Sequence, residues 1–153
     1  MNMNSKYNWS RRHVLLGTLA LLSLGITGIR AATPVPENVE WVLVEINGKA
    51  VEAPAGGEMK DATLKLDAAK MQASGVSFVN HYGAKYELND SKLKFGPMMC
   101  TRMAGPPDAM DAERDYLAML EGVNGWRIAD GKLELIQGEK VVARFTERAA
   151  AVK

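Results

Sequence analysis

Four sulfur-bearing side chains fall within six positions, at Met98, Met99, Cys100 and Met103. Thioether and thiol donors at that density suit Cu(I), and His81 is a further candidate ligand. The plainer reading is packing: strand alternation sends Met98 and Cys100 to one face and Met99 to the other. Methionines also fill cores beside aromatics such as Tyr82 and Phe95. The next pair, Thr101 and Arg102, precedes Gly105 and the dipeptide Pro106-Pro107. An arginine in such a loop can clasp a carboxylate through its planar fork. It can equally satisfy loop carbonyls or pair with Glu113 to hold the loop on a helix. Asn80 can brace a turn through its amide or meet a ligand, and Tyr82 follows two residues later. Asn80, Tyr82, Thr101 and Arg102 are therefore the candidate binding residues, and the sulfur set is the alternative, metal-binding hypothesis.

An enzyme has less to build on. His81 is the only histidine beyond the N-terminal segment, too few for a histidine-based catalytic metal site. Ser77 or Ser91 with His81 and Asp90 could be drawn as a nucleophile triad, but no glycine-framed serine precedes a helix. Phosphate-loop and dinucleotide fingerprints are missing. The expectation is a non-enzymatic protein without a cofactor.

Those candidates sit in a chain of 153 residues, enough for one domain with its own core. The formal charge of +1 conceals an asymmetry, because Lys6, Arg11, Arg12 and Arg30 all precede the first acid, Glu37. Without residues 1–31 the 19 basic residues fall to 15 against 18 acids, a net charge of −3. A mildly acidic domain without a basic patch argues against nucleic acid as a partner.

Residues 1–31 have the three-part layout of an export signal: a basic start, the uncharged run Val14–Ile29, then Ala31-Ala32. The run is 16 residues long and holds Gly17, Gly25 and Gly28, short and weakly apolar for a permanent span. Ser10-Arg11-Arg12-His13-Val14-Leu15-Leu16 resembles the twin-arginine export motif, the alternative being a general secretory signal with two arginines. Either route predicts a periplasmic or secreted protein that meets the membrane only if the signal stays uncleaved. Cys100 is the sole cysteine, so there is no lipid-attachment cysteine near the signal and no internal disulfide.

The elements that must position the candidates are mostly strands. Thr33–Asn38 reads as a linker. Glu40–Ile46 is rich in β-branched and aromatic residues and ends at Asn47-Gly48, a hairpin signal that returns through Lys49–Glu52. Ala53–Lys60 reads as a loop, Ala62–Asp67 as a half-buried strand, and Met71–Ala73 as a short strand. A glycine-bounded turn from Ser74 then feeds Tyr82–Leu88, followed by a turn at Asn89–Ser91 and the strand Lys92–Phe95. A helix begins after Pro106-Pro107, capped by Asp108, with Tyr116, Leu117 and Leu120 on its apolar face and Gly122 at C′. Three strands close the chain, at 125–129, 132–137 and 140–146, and 149–153 is a tail. The predicted fold is α+β: a curled antiparallel sheet or partial barrel of short strands packed on one helix, spanning 39–148 after a linker at 32–38.

The order of these motifs resembles the META domain family, the HslJ-like heat-shock domains. Trp41 and Asn47-Gly48-Lys49 match its opening strand and turn. Asn80, Tyr82, Gly83 and Tyr86 match its Gly-Cys-Asn turn and the tyrosines after it, with Phe78 in place of the glycine and Val79 in place of the cysteine. Thr101-Arg102-Met103-Ala104 matches a Thr-Arg-Met-Ala-Cys run, with Gly105 in place of the second cysteine. Joint loss of both cysteines is what a pair would give. The resemblance implies an envelope domain linked to stress responses, without an enzymatic activity or cofactor. The expected protein is a monomer that binds an unknown protein or envelope component.

Overall fold

The structure, a computed structural model, describes residues 35–51 and 60–149. The expected export signal, the 53–59 loop and the end of the tail lie outside these residues. Ten strands and one helix follow in order: β1 (Glu40–Ile46), β2 (Lys49–Ala50), β3 (Thr63–Asp67), β4 (Gln72–Ser77), β5 (Asn80–Asn89), β6 (Lys92–Phe95), β7 (Met99–Cys100), α1 (Pro107–Glu121), β8 (Gly125–Ala129), β9 (Lys132–Gln137) and β10 (Lys140–Glu147).

All the strand pairings are antiparallel, in the order β6-β5-β4-β3-β1-β10-β9-β8, with β2 on β1 and β7 on β5. The two end strands then meet: the Trp126 amide donates to the Ser91 carbonyl at 3.0 Å and its indole N–H to the Asp90 carbonyl at 2.8 Å. The sheet is thereby a nearly closed barrel, which removes most of its edges. Register shifts between Leu43 and Glu45 and between Val141 and Ala143 mark bulges where β1 and β10 bend.

Alternation fills the inside. Tyr82, Ala84 and Tyr86 of β5 face inward and are buried, as are Leu64 and Leu66 of β3 and Leu133 and Leu135 of β9. Helix α1 lays Ala109, Glu113, Tyr116 and Leu120 onto this core at helical spacing. Tyr116 is fully buried, edge-on to Tyr82 and Phe78 at ring separations of 5.7 and 6.0 Å.

Hairpin chemistry follows the expected pattern at Asn47-Gly48 and Asp130-Gly131, where both residues have positive φ. Four details depart from the sequence reading. Residues 74–77 are strand, not turn, and β4 runs through Gly75 to Ser77; the turn is Phe78-Val79. A Cβ on Gly75 would meet the Thr63 carbonyl oxygen at 2.0 Å, so that glycine serves a close strand approach. The helix N-cap is Pro106 with Pro107 at N1, and Asp108 lies inside the first turn without making a capping bond. Gly122 is the C-cap itself with a right-handed backbone (φ −84°), and a Cβ there would strike the Gln137 side chain at 2.7 Å. Residues 35–38 are also packed rather than free: Pro36 is buried, its carbonyl accepts from the Trp41 indole at 2.8 Å, and Glu37 bridges to Leu66.

Candidate functional site

The residues singled out in the sequence converge on the join between β5, β7 and the start of α1. Asn80 opens β5 and is 1% exposed. Its Oδ1 accepts from the Thr101 hydroxyl at 2.7 Å and the Met103 amide at 2.8 Å, while its Nδ2 donates to the Met103 carbonyl at 3.1 Å. The side-chain amide thus takes the part of a neighbouring strand and pins the chain from Thr101 to Met103. On its other side, Nδ2 donates to Glu113 Oε1 at 2.9 Å and the Asn80 backbone amide to Glu113 Oε2 at 2.8 Å.

Glu113 is the hub beneath. It is 7% exposed, and its Oε2 also accepts from the Ser77 hydroxyl at 2.8 Å. Three donors converge on its two oxygens, so the buried carboxyl group is satisfied by hydrogen bonds. Arg102 supplies none of them. Its side chain is exposed and forms no hydrogen bond or ion pair among the described residues. The expected alternative, an Arg102–Glu113 pair, is therefore replaced by Ser77 and Asn80. The signal for this was available: an acid at the helix position facing inward, three residues before Tyr116 and seven before Leu120, belongs to the buried stripe.

Tyr82 lies behind Asn80 and is 4% exposed. Its phenol contacts that of Tyr116 at 3.0 Å, and both hydroxyls reach the Thr63 carbonyl, at 2.8 and 3.1 Å. Burial raises the pKa of both phenols. For Tyr82 the neighbouring Tyr116 adds to the rise, whereas in Tyr116 the hydrogen bond shared with Tyr82 partly opposes it. Neither ionises near neutral pH, and their role is to join sheet to helix. Of the four candidate binding residues, Asn80 and Tyr82 are beneath the surface; Thr101 and Arg102 are on it.

The sulfur set is dispersed. Met98 is half-buried against the core, and Met99 is 71% exposed opposite Gly83. Cys100 pairs with Tyr82 and so shares its side of the sheet, opposite to that of Met99. Met103 is 45% exposed in the loop beyond. Burial and then the charges of Glu113 and Glu121 raise the Cys100 thiol, which disfavours the thiolate that binds soft metals. The drawn triad is not assembled either. Ser77 is committed to Glu113 and the Asn80 carbonyl, and Asp90 lies at the far end of β5, about 30 Å from His81 along an extended strand.

What the network holds up is a rigid exposed loop. Met103, Ala104, Gly105 and Pro106 line a groove of about 360 Å³ with Phe78 and Val79, and Lys60 stands at its margin. Gly105 touches Val79 closely: a Cβ there would lie 2.8 Å from Val79 Cγ2 and 3.5 Å from Val79 Cβ. Phe78 has φ +70°, the left-handed conformation natural to glycine. A larger cavity, about 600 Å³, opens at the β6–β8 seam beside Leu88, Trp126 and Ile128; Asp90 and Ser91 line it, but none of the four candidate binding residues does.

Among the described residues, a nearly closed antiparallel sheet of ten strands with one inserted helix, its β5 turn locked to that helix through Asn80 and Glu113, defines a small barrel-like α+β class. The META domain model matches residues 34–150, and the chain belongs to that family. Two solved structures share the fold. An NMR structure of a protein from Burkholderia xenovorans is 27% identical, with a TM-score of 0.59, over 75% of this chain and 85% of that one. A second NMR structure is 19% identical, with a TM-score of 0.54, over 72% of this chain and 89% of the other. No curated protein matches the chain. The family assignment gives meaning to Phe78, Val79 and Gly105. They stand where the resemblance puts a glycine and two cysteines, and in the fold the two cysteine positions are in contact.

Proposed function

We propose that this META domain is an exported, monomeric, non-enzymatic binding module of the bacterial envelope, serving a stress response, and that its partner docks on the Met99–Pro106 loop. The observation that carries this reading is the investment beneath the loop. A buried carboxylate and a buried asparagine are both committed to holding an exposed segment with Thr101, Arg102 and Met103 at its surface. Exposed loops on a rigid scaffold are the usual seat of recognition, and methionine suits adaptable apolar contacts. The basic start and uncharged run of residues 1–31 support export.

The test is site-specific photo-crosslinking in cells expressing the full chain. A photoreactive residue at Arg102 is expected to give a discrete adduct under envelope stress, and one at exposed Lys132 at the start of β9 to give none. Absence of an adduct at Arg102, or the same adduct from both positions, would sink the reading. Fractionation of the same cells tests export, which fails if the chain remains in the cytoplasm.

A further inference from the structure

Building on that docking reading, we infer that the partner presents an extended peptide segment in which an aliphatic side chain is flanked by Asp or Glu. The groove supplies the apolar half of this complementarity. Phe78, Val79, Met103, Gly105 and Pro106 line it, a cleft of about 360 Å³, room for one or two side chains and not for a folded element.

Charge supplies the other half. Lys60 lines the groove and Arg102 directly precedes Met103, both exposed, and neither forms an ion pair among the described residues. The domain's other positioned arginines are already spoken for. Arg127 and Arg144 hold Glu134, Arg148 holds Glu40 and Asp61, and Arg114 holds Asp111. On a chain whose net charge is −3 beyond residue 31, an exposed lysine lining an apolar groove, with an exposed arginine next in sequence to the groove's Met103, is a local excess of positive charge. Such an excess steers an acidic segment in and repels a basic one.

The groove is also ready before binding. Asn80 fixes both backbone groups of Met103, so the apolar wall and the arginine beside it need not be ordered on docking. An extended segment that brings its own carboxylates would meet the guanidinium of Arg102 as a two-pronged acceptor.

The experiment selects random dodecapeptides displayed on phage against the full chain, then measures the selected peptides by fluorescence anisotropy. The expected consensus is Leu, Ile or Val within two positions of Asp or Glu, bound more weakly as salt rises. Arg102→Glu and Lys60→Glu should each weaken binding about tenfold. The double reversal should bind better to the same peptides rewritten with Lys at the acidic positions. Circular dichroism checks that the variants fold. Selected peptides that lose affinity in Met103→Asp but show no acidic preference and ignore both charge reversals would overturn this inference while leaving the docking loop standing. Peptides indifferent to Met103→Asp as well, or no selected peptide at all, would overturn this inference; the docking loop itself would then fall only if Arg102 also gave no crosslink in cells.

Discussion

The Glu113 hub and the charge ladder on the barrel's outer face are both polar clusters built on a buried glutamate, and they solve that problem in opposite ways. In the ladder, Glu45 of β1, Arg144 of β10, Glu134 of β9 and Arg127 of β8 are successive cross-strand partners. Glu134 accepts from Arg144 at 2.7 Å and Arg127 at 2.5 Å, and Arg144 also pairs with Glu45. Opposite charges alternate across four strands and hold their register. The hub has no cation at all. Glu113 is satisfied by two side-chain donors and one backbone amide, and what it fixes is a loop. Charge pairing is geometrically forgiving and partly open to water, since Arg127 is 59% exposed. Convergent hydrogen bonds around a buried carboxylate are directional, so the hub should be far less tolerant of change.

That contrast orders the expected outcomes. Glu113→Ala leaves the Asn80 backbone amide without its acceptor and removes one acceptor each from Asn80 Nδ2 and the Ser77 hydroxyl, and should cost about 3 kcal/mol in urea unfolding, with the loss of the loop's amide protection in hydrogen exchange. If it costs under about 1 kcal/mol, the hub is no hub. Val79→Cys with Gly105→Cys should restore a cross-link at a Cβ–Cβ spacing of 3.5 Å. When oxidised it should stabilise the domain by about 3 kcal/mol, reversibly with dithiothreitol. Failure to oxidise would show that the two positions do not meet. Phe78→Gly relieves about 1 kcal/mol of left-handed backbone strain but removes a buried ring worth about 3 kcal/mol, so burial wins and a net loss of about 2 kcal/mol is expected.

The ladder should respond to pH where the hub variants respond to truncation. Burial alone would push the Glu134 carboxyl up, but the hydrogen bonds from Arg144 and Arg127 outweigh it and hold the group below its usual value. A depressed carboxyl contributes stability that is present above the unfolded value, about 4.3, and is lost as pH falls through the folded one. Glu134→Gln should therefore cost about 1 kcal/mol at pH 7 and less below pH 4, read as urea midpoints across that range. An unchanged acid slope in the variant would remove Glu134 from the account. The smallest effect belongs to Arg102→Glu, within about 0.5 kcal/mol of the parent, because its side chain is bonded to nothing among the described residues.

Much of the barrel was legible from local pattern. Alternation in Thr63–Asp67 and Tyr82–Leu88, the two-residue turns at Asn47-Gly48 and Asp130-Gly131, and the helical spacing of Tyr116 and Leu120 each depend on a few neighbouring residues. The errors arose where a distant group decides. Gly75 looked like a turn residue because glycine commonly is one; the strand passes through it because the Thr63 carbonyl leaves no room for a Cβ. Nothing local marks Phe78 for a left-handed turn, since its burial against Tyr116 is a contact across 38 residues.

The sequence by itself determined the α+β class, the strand-rich order, the likeness to the META family and the charge split between residues 1–31 and the rest, because these are written in periodicity, turn chemistry and composition. The tertiary structure alone decided that Asn80 and Tyr82 lie inside while Arg102 lies outside, that Glu113 answers to Ser77 and Asn80, and that Val79 touches Gly105. A hydrogen-bonding side chain can satisfy itself with any donor the fold brings near. Which donor that is depends on where β5, β7 and α1 meet, and that meeting is set by packing in space, not by any local pattern of residues.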